Sequence, residues 1–242
     1  MATVYLHIGT MKSGSSFLQS TCGENRRALS TVGIRYVGTE RSWRAVHDLK
    51  GGRVRRDVGA WRRLARQLRT STSDSLISNE LLCQIPEQLI RRVVSSLAPH
   101  EVQVIVTVRD ITKVVPSHWQ ERIQNGSVVG WTEFCETACA DPSSTDASRT
   151  FWGHHDVVQV ISKWSNVLTA DRITVVTVPP SSENPELLWG RFLSALGASS
   201  ISTKPATRAN PSLGAVSAEL LLRVNAQLTD FPRHDRSVSV KG

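Results

Sequence analysis

Between His7 and Phe17 the chain reads His-Ile-Gly-Thr-Met-Lys-Ser-Gly-Ser-Ser-Phe, a run of small residues with one lysine and several hydroxyls. Such a run suits anionic oxygens. Backbone N–H groups at the start of a helix carry the positive end of the helix dipole, and residues without bulky side chains let a phosphate reach them. Gly14, Ser15, Ser16 and Phe17 supply amides of this kind, and Lys12 adds a full charge. A second segment, Val104-Ile-Val-Thr-Val-Arg-Asp110, closes an apolar run with Arg109, and Ser117 follows eight residues later. The guanidinium is a planar fork of donors matched to phosphate, and the serine hydroxyl adds one more.

Against the phosphate-loop form GxxxxGK[ST], Gly9, Gly14 and Ser16 fit, but Ser15 stands where the lysine belongs and the lysine is Lys12 instead. Asp110 at the end of an apolar strand has two readings, a magnesium ligand as in ATP-dependent kinases or the cap of the next helix. For proton transfer, Glu80 in Ser-Asn-Glu-Leu-Leu and His47 in Arg-Ala-Val-His-Asp-Leu are the candidates. Each also has a plainer reading, Glu80 as a helix cap or ion-pair partner and His47 as a packed or solvent-facing ring. His154 and His155 are adjacent, so on a helix they point in different directions and do not make a joint metal site. Cys135 and Cys139 have a metal-like spacing without further ligands nearby in sequence.

Short β-branched and apolar runs over Thr3–Ile8, Gly33–Val37, Ser75–Ser78, Val102–Val108 and Ile173–Val178 predict buried strands. Between them, helical spacing predicts helices from Ser15, over Asp57–Leu68, from Pro86 to Leu97, after an Asp110 cap, and over Trp131–Cys139, Asp156–Leu168, Pro185–Leu196 and Ser212–Leu228. Asp141–Thr150, rich in Ser, Thr, Asp and Pro, reads as a loop, and Phe151-Trp152 as a staple at a helix start or the wall of a pocket. Alternating strands and helices give an α/β fold: a three-layer αβα domain around a central parallel sheet, with ligands beyond the carboxyl ends of the strands. One domain spanning 1–242 is expected. The segment 232–242 is polar and unpatterned, which leaves open a missing C-terminal element.

Met11-Lys12-Ser13-Gly14-Ser15-Ser16-Phe17-Leu18 resembles the P-K-[ST]-G-[ST]-[ST]-[WF]-L pattern of the PAPS-dependent sulfotransferases, with Met11 in place of the common proline. The strand ending in Arg109, with Ser117 on the next helix, is similar to that family's 3'-phosphate site. Ser117–Glu121, Phe151-Trp152, Val175–Pro180, Leu188-Trp189, Arg191-Phe192 and Arg208–Leu213 resemble actinobacterial sulfotransferase-family proteins, so the resemblance spans nearly the whole chain. It implies a P-loop-type fold and transfer of a sulfuryl group from 3'-phosphoadenosine 5'-phosphosulfate, without a metal, to a hydroxyl or amine. It further implies that Lys12 contacts the oxygen bridging phosphorus and sulfur, that Ser13, Gly14, Ser15, Ser16 and Phe17 hold the 5'-phosphate, and that Arg109 and Ser117 hold the 3'-phosphate. Glu80 takes the place of the general base of carbohydrate and tyrosyl-protein sulfotransferases, with His47 as the other candidate. Arg208 and Asn210 either approach the donor or belong to a helix-entry loop.

The formal charge of +8 predicts attraction to anions. Much of the excess lies in Arg53, Arg55, Arg56, Arg62, Arg63, Arg66 and Arg69, which read as a solvated basic helix face, an acidic-substrate rim or a nucleic-acid footprint. Four scattered cysteines predict reduced thiols rather than a disulfide scaffold. No signal-like leader is visible, and the apolar runs are far shorter than the ~20 residues of a membrane span. A soluble, cytoplasmic chain acting on a small-molecule, glycan or lipid acceptor is expected, with no nucleic-acid partner. Rival readings are an ATP and magnesium-dependent small-molecule kinase, a basic nucleic-acid-binding protein, and a donor-binding protein that has lost catalysis.

Overall fold

The five apolar runs become the strands of one sheet in the computed structural model, which describes residues 1–52, 54–180, 186–204 and 213–228. Arg53, Pro185, Arg208, Asn210, Ser212 and the segment 232–242 lie outside the described residues. In chain order the elements are β1 (Thr3–His7), α1 (Ser15–Glu24), α2 (Arg26–Thr31), β2 (Ile34–Tyr36), α3 (Thr39–Leu49), α4 (Ala60–Arg69), β3 (Asp74–Ser78), α5 (Glu87–Leu97) and β4 (Glu101–Val108). There follow α6 (Ile111–Gln124), α7 (Trp131–Cys139), α8 (Asp146–His155), α9 (Val157–Ser165), β5 (Ile173–Thr177), α10 (Glu186–Ala195) and α11 (Ala215–Gln227). Two compact units emerge, one of residues 1–109 and 156–209 and one of residues 110–155 and 210–242.

The first unit is an αβα sandwich on a parallel sheet of strand order β2-β3-β1-β4-β5. Strand alternation divides its core by face. Val4, Leu6 and Ile8 with Ile77, Val102, Val104 and Val106 bury against α3, α4, α5 and α9, through residues such as Val46, Leu64, Ile90 and Trp164. Leu76, Ile105 and Val176 turn the other way, onto Leu18, Leu29, Leu188 and Phe192 of α1, α2 and α10. Because β1 has β3 on one side and β4 on the other, the crossovers reverse direction at its carboxyl end. In such sheets that reversal opens the crevice where ligands bind.

The second unit is helical. Trp119 and Ile123 of α6, Phe134 and Ala138 of α7, Phe151 of α8 and Ala218 of α11 form its core. Asp110 caps α6, accepting the amide of Thr112 at 2.9 Å.

Three expectations need correction. The stretch 141–150 is not a loop throughout, since α8 begins at Asp146. Its polar residues terminate and start structure rather than avoid it: Asp141 accepts the amide of Ser143, and Thr145 Oγ1 accepts that of Ser148. Phe151 and Trp152 therefore lie inside a helix and not at a helix start, with Trp152 Nε1 donating to the carbonyl of Ala140. The helix drawn from Asp57 starts at Ala60, after a 3₁₀ turn over Arg55–Asp57, because Asp48 of α3 accepts the amides of Gly59 and Trp61.

Candidate active site

Beyond β1, the segment Gly9–Gly14 forms a turn folded back on the sheet. Thr10 donates its amide to the Thr107 carbonyl at 3.1 Å, and Ser13 donates its amide and its hydroxyl to the Thr10 carbonyl at 3.3 and 2.5 Å. Met11 and Lys12 form the tip between these anchors, and Lys12 takes a left-handed φ of 65°. A side chain in that region costs roughly 1–2 kcal/mol, so the residue is held there by its surroundings. Gly14 follows at φ 84°, and a Cβ on it would sit 2.8 Å from Leu188 Cδ2. The left-handed φ favours glycine at that position, while the Leu188 side chain could swing aside.

Gly14 is the N-cap of α1, and the first amide of the helix with an intrahelical acceptor is that of Leu18, which donates to Gly14. By helix geometry the amides of Ser15, Ser16 and Phe17 project from the helix start. Ser15 Oγ is buried and has no hydrogen-bond partner among the described residues. Arg109, just after β4, donates Nη1 to the Lys12 carbonyl at 3.4 Å. The two segments picked out on residue type are thus joined at one point, with Lys12, Ser13, Gly14, Ser15, Ser16, Phe17 and Arg109 gathered at the carboxyl end of β1 and β4.

Glu80 lies at the same edge. β1 and β3 pair with His7 opposite Ser78, and the amide of Asn79 donates to the His7 carbonyl at 2.9 Å. Glu80, two residues past Ser78, therefore leaves the sheet at the level of Gly9, two residues past His7. It opens a 3₁₀ turn over Glu80–Gln84, and Asn79, not Glu80, caps that turn by accepting the amide of Leu81 at 3.0 Å. Glu80 is half-buried, and two ammonium groups flank the far end of the turn. Lys163 Nζ donates to the Cys83 carbonyl at 3.5 Å, and Lys50 Nζ donates to Gln84 Oε1 at 3.1 Å.

His47, the other proposed base, sits in the last turn of α3. Its Nδ1 is 3.4 Å from Oδ2 of the fully buried Asp57, and its ring stacks on Trp43 at 4.8 Å. Gly52 covers the ring so closely that a Cβ there would approach it to 2.2 Å. Arg44 and Arg56 reach the same carboxylate at 3.9 and 4.0 Å. These contacts explain His47 as a pin between α3 and the segment that follows, and part of the arginine run as partners of Asp57.

Ser117, half-buried on α6, belongs to the helical unit. His154 and His155 end α8 with their rings nearly perpendicular, and His155 Nε2 lies 2.6 Å from Nδ1 of the buried His118. Cys135 and Cys139 are free thiols, as are the buried Cys22 and Cys83. Among the described residues no cluster of three or more His, Cys, Asp or Glu side chains is placed to hold a metal, and no helix is long and apolar enough to cross a membrane.

Residue type alone gave no hint of the polar chain beneath the loop. His7 Nδ1 lies 2.7 Å from Ser78 Oγ, His7 Nε2 lies 3.0 Å from Thr107 Oγ1, and Thr107 Oγ1 lies 2.8 Å from Ser13 Oγ. All four residues are buried, and His7 meets Phe192 edge-on at 5.0 Å. Burial pushes the imidazole down to about 3, so it is neutral near pH 7.

No protein-family profile matches the chain, and no curated protein matches it in sequence. Among solved structures it is similar to a sulfotransferase from Alicyclobacillus acidocaldarius, at 13% identity and a TM-score of 0.53, over 98% of this chain and 95% of that one. The chain has the fold of that sulfotransferase: a P-loop-type αβα sandwich on a parallel sheet.

Proposed function

We propose that the chain is a sulfotransferase that moves the sulfuryl group of 3'-phosphoadenosine 5'-phosphosulfate to a hydroxyl or amine. The observation that carries this reading is the turn of residues 9–14, which displays Lys12 in a left-handed conformation beside the free amides of α1 and the Arg109 guanidinium. As the acceptor atom bonds to sulfur, the bond from sulfur to the 5'-phosphate oxygen breaks and negative charge gathers on that oxygen. Lys12 and the amides of Ser15–Phe17 are suited to stabilise the charge, the contribution that usually dominates group transfer. Arg109 is assigned to the 3'-phosphate.

Glu80 is the better candidate for the acceptor's proton. Its place at the level of Gly9 supports this role, and Asn79 already performs the capping that would otherwise account for it. His47 is engaged with Asp57 and Trp43. Glu80→Gln is expected to lower kcat by about a hundredfold or more, with affinity for the desulfated nucleotide unchanged, whereas His47→Gln keeps most of the rate. Full activity of E80Q with loss in H47Q would transfer the role to His47.

Isothermal titration with 3'-phosphoadenosine 5'-phosphate in EDTA tests the donor assignment, with ATP and magnesium in parallel. Micromolar metal-free binding is expected, weakened about tenfold to a hundredfold in Arg109→Ala, as befits the loss of a charged hydrogen-bond donor to phosphate. Binding of ATP with magnesium alone would overturn the reading in favour of a kinase.

A further inference from the structure

The buried polar chain beneath the loop has only one consistent direction. A carbonyl oxygen can only accept, so the single hydroxyl proton of Ser13 goes to the Thr10 carbonyl at 2.5 Å. Ser13 Oγ must then accept from Thr107 Oγ1, at 2.8 Å. With its own proton spent, Thr107 Oγ1 must accept from His7, which fixes the ring proton on Nε2, 3.0 Å away. His7 Nδ1 is left bare and accepts from the Ser78 hydroxyl at 2.7 Å. Ser78, His7, Thr107 and Ser13 thus form a one-way relay across β3, β1 and β4 into the loop.

We infer that His7 and Thr107 are positioning residues for the donor site, holding Ser13 and through it the left-handed Lys12. The turn from Thr10 to Ser13 is closed on itself by Ser13 and anchored to Thr107 through the Thr10 amide and hydroxyl, at 3.1 and 3.4 Å. A strained residue persists only where its surroundings over-determine it, and these contacts are what bracket Lys12. The chain also has no slack: a Cβ on Gly9 would come within 1.9 Å of Thr107 Oγ1, 2.8 Å of Ser13 Oγ and 3.1 Å of His7 Nε2. At its other end, the Ser78 carbonyl accepts from Ser42 Oγ at 3.1 Å and from Gln19 Nε2 at 3.4 Å, so the strand end that leads to Glu80 is tied into the same frame. The distances of Thr107 Oγ1 to His7 Nε2 and Ser13 Oγ, 3.0 and 2.8 Å, are those of hydrogen bonds, and a hydrophobic side chain there would leave both partners buried without one.

The inference rests on the donor reading above, and the experiment separates the two. Thr107→Val removes the relay with nearly constant shape, and Thr107→Ser restores the hydroxyl. The unsubstituted chain is expected to bind 3'-phosphoadenosine 5'-phosphate, T107V to bind it about tenfold more weakly, and T107S to recover to within about threefold, in line with losing one or two buried hydrogen bonds. Nitrogen NMR of the imidazoles, with His7→Gln to identify the His7 signals, is expected to show the Nε2–H tautomer at pH 7 in the unsubstituted chain. Equal affinity of T107V and the unsubstituted chain, or an Nδ1–H tautomer at His7, overturns the inference. If none of the three binds the nucleotide, the donor reading fails, and the tautomer alone decides whether the relay exists.

Discussion

Lys12→Ala and Lys12→Gly are each expected to slow sulfuryl transfer by about a hundredfold to a thousandfold, the usual loss when one charge-stabilising donor is removed from a transferring group. Their stabilities should differ. Lys12 sits at φ 65°, where any Cβ crowds the backbone, so alanine keeps the strain and glycine relieves it. Glycine's greater freedom in the unfolded chain offsets part of that relief, leaving K12G more stable than K12A by about 0.5–1 kcal/mol. Urea unfolding and single-turnover rates with 3'-phosphoadenosine 5'-phosphosulfate check the two halves. A variant that transfers at the parent rate removes Lys12 from the mechanism, and K12G less stable than K12A removes the strain.

Gly9→Ala should be the most damaging substitution of a single methyl group in the chain. The added Cβ meets Thr107 Oγ1 at 1.9 Å, just beyond β1, where the amides of Ile8 and Thr10 on either side of Gly9 are tied to the carbonyls of Ile105 and Thr107 of β4. Overpacking in a rigid core combined with a broken buried hydrogen-bond chain costs on the order of 3 kcal/mol. Thermal unfolding should show that loss, and nucleotide binding should fall below detection. Adding Thr107→Ala removes the nearest obstacle and leaves Ser13 Oγ at 2.8 Å. The double variant should then recover part of the stability while binding stays weak, because the relay is gone. Recovery of both together would mean that Thr107 only fills space.

The strands could be read from residue order because each is short and built around apolar and β-branched residues, as suits a strand buried on both faces. The turn of residues 9–14 and the helix start at Ser15 could be read for a similar reason: small residues at fixed spacing mark where the chain bends and where a helix leaves its first amides uncovered. α3 escaped notice because only Ser42, Ala45, Val46 and Leu49 of its residues are buried, a thin stripe among charges. α8 was hidden by capping residues that resemble a loop. The relay could not be found at all from local pattern. His7 meets partners 71 and 100 residues away, and only the register of β1 between β3 and β4 makes them neighbours. The proposed preference for Glu80 over His47 likewise draws on contacts of Asn79, Asp57 and Trp43 that residue type alone does not reveal.

The parallel arrangement has a consequence during synthesis. β1 leaves the ribosome first, yet both of its neighbours come much later, β3 at Asp74–Ser78 and β4 at Glu101–Val108. At roughly 5–20 residues per second, the nascent chain carries the glycine loop for about 5–20 s before Thr107 is made. Throughout that interval the loop has its residues but neither the floor beneath it nor the second strand that bends it. A fragment ending short of Thr107 contains every residue of the glycine loop and lacks the carbonyl to which Thr10 is anchored.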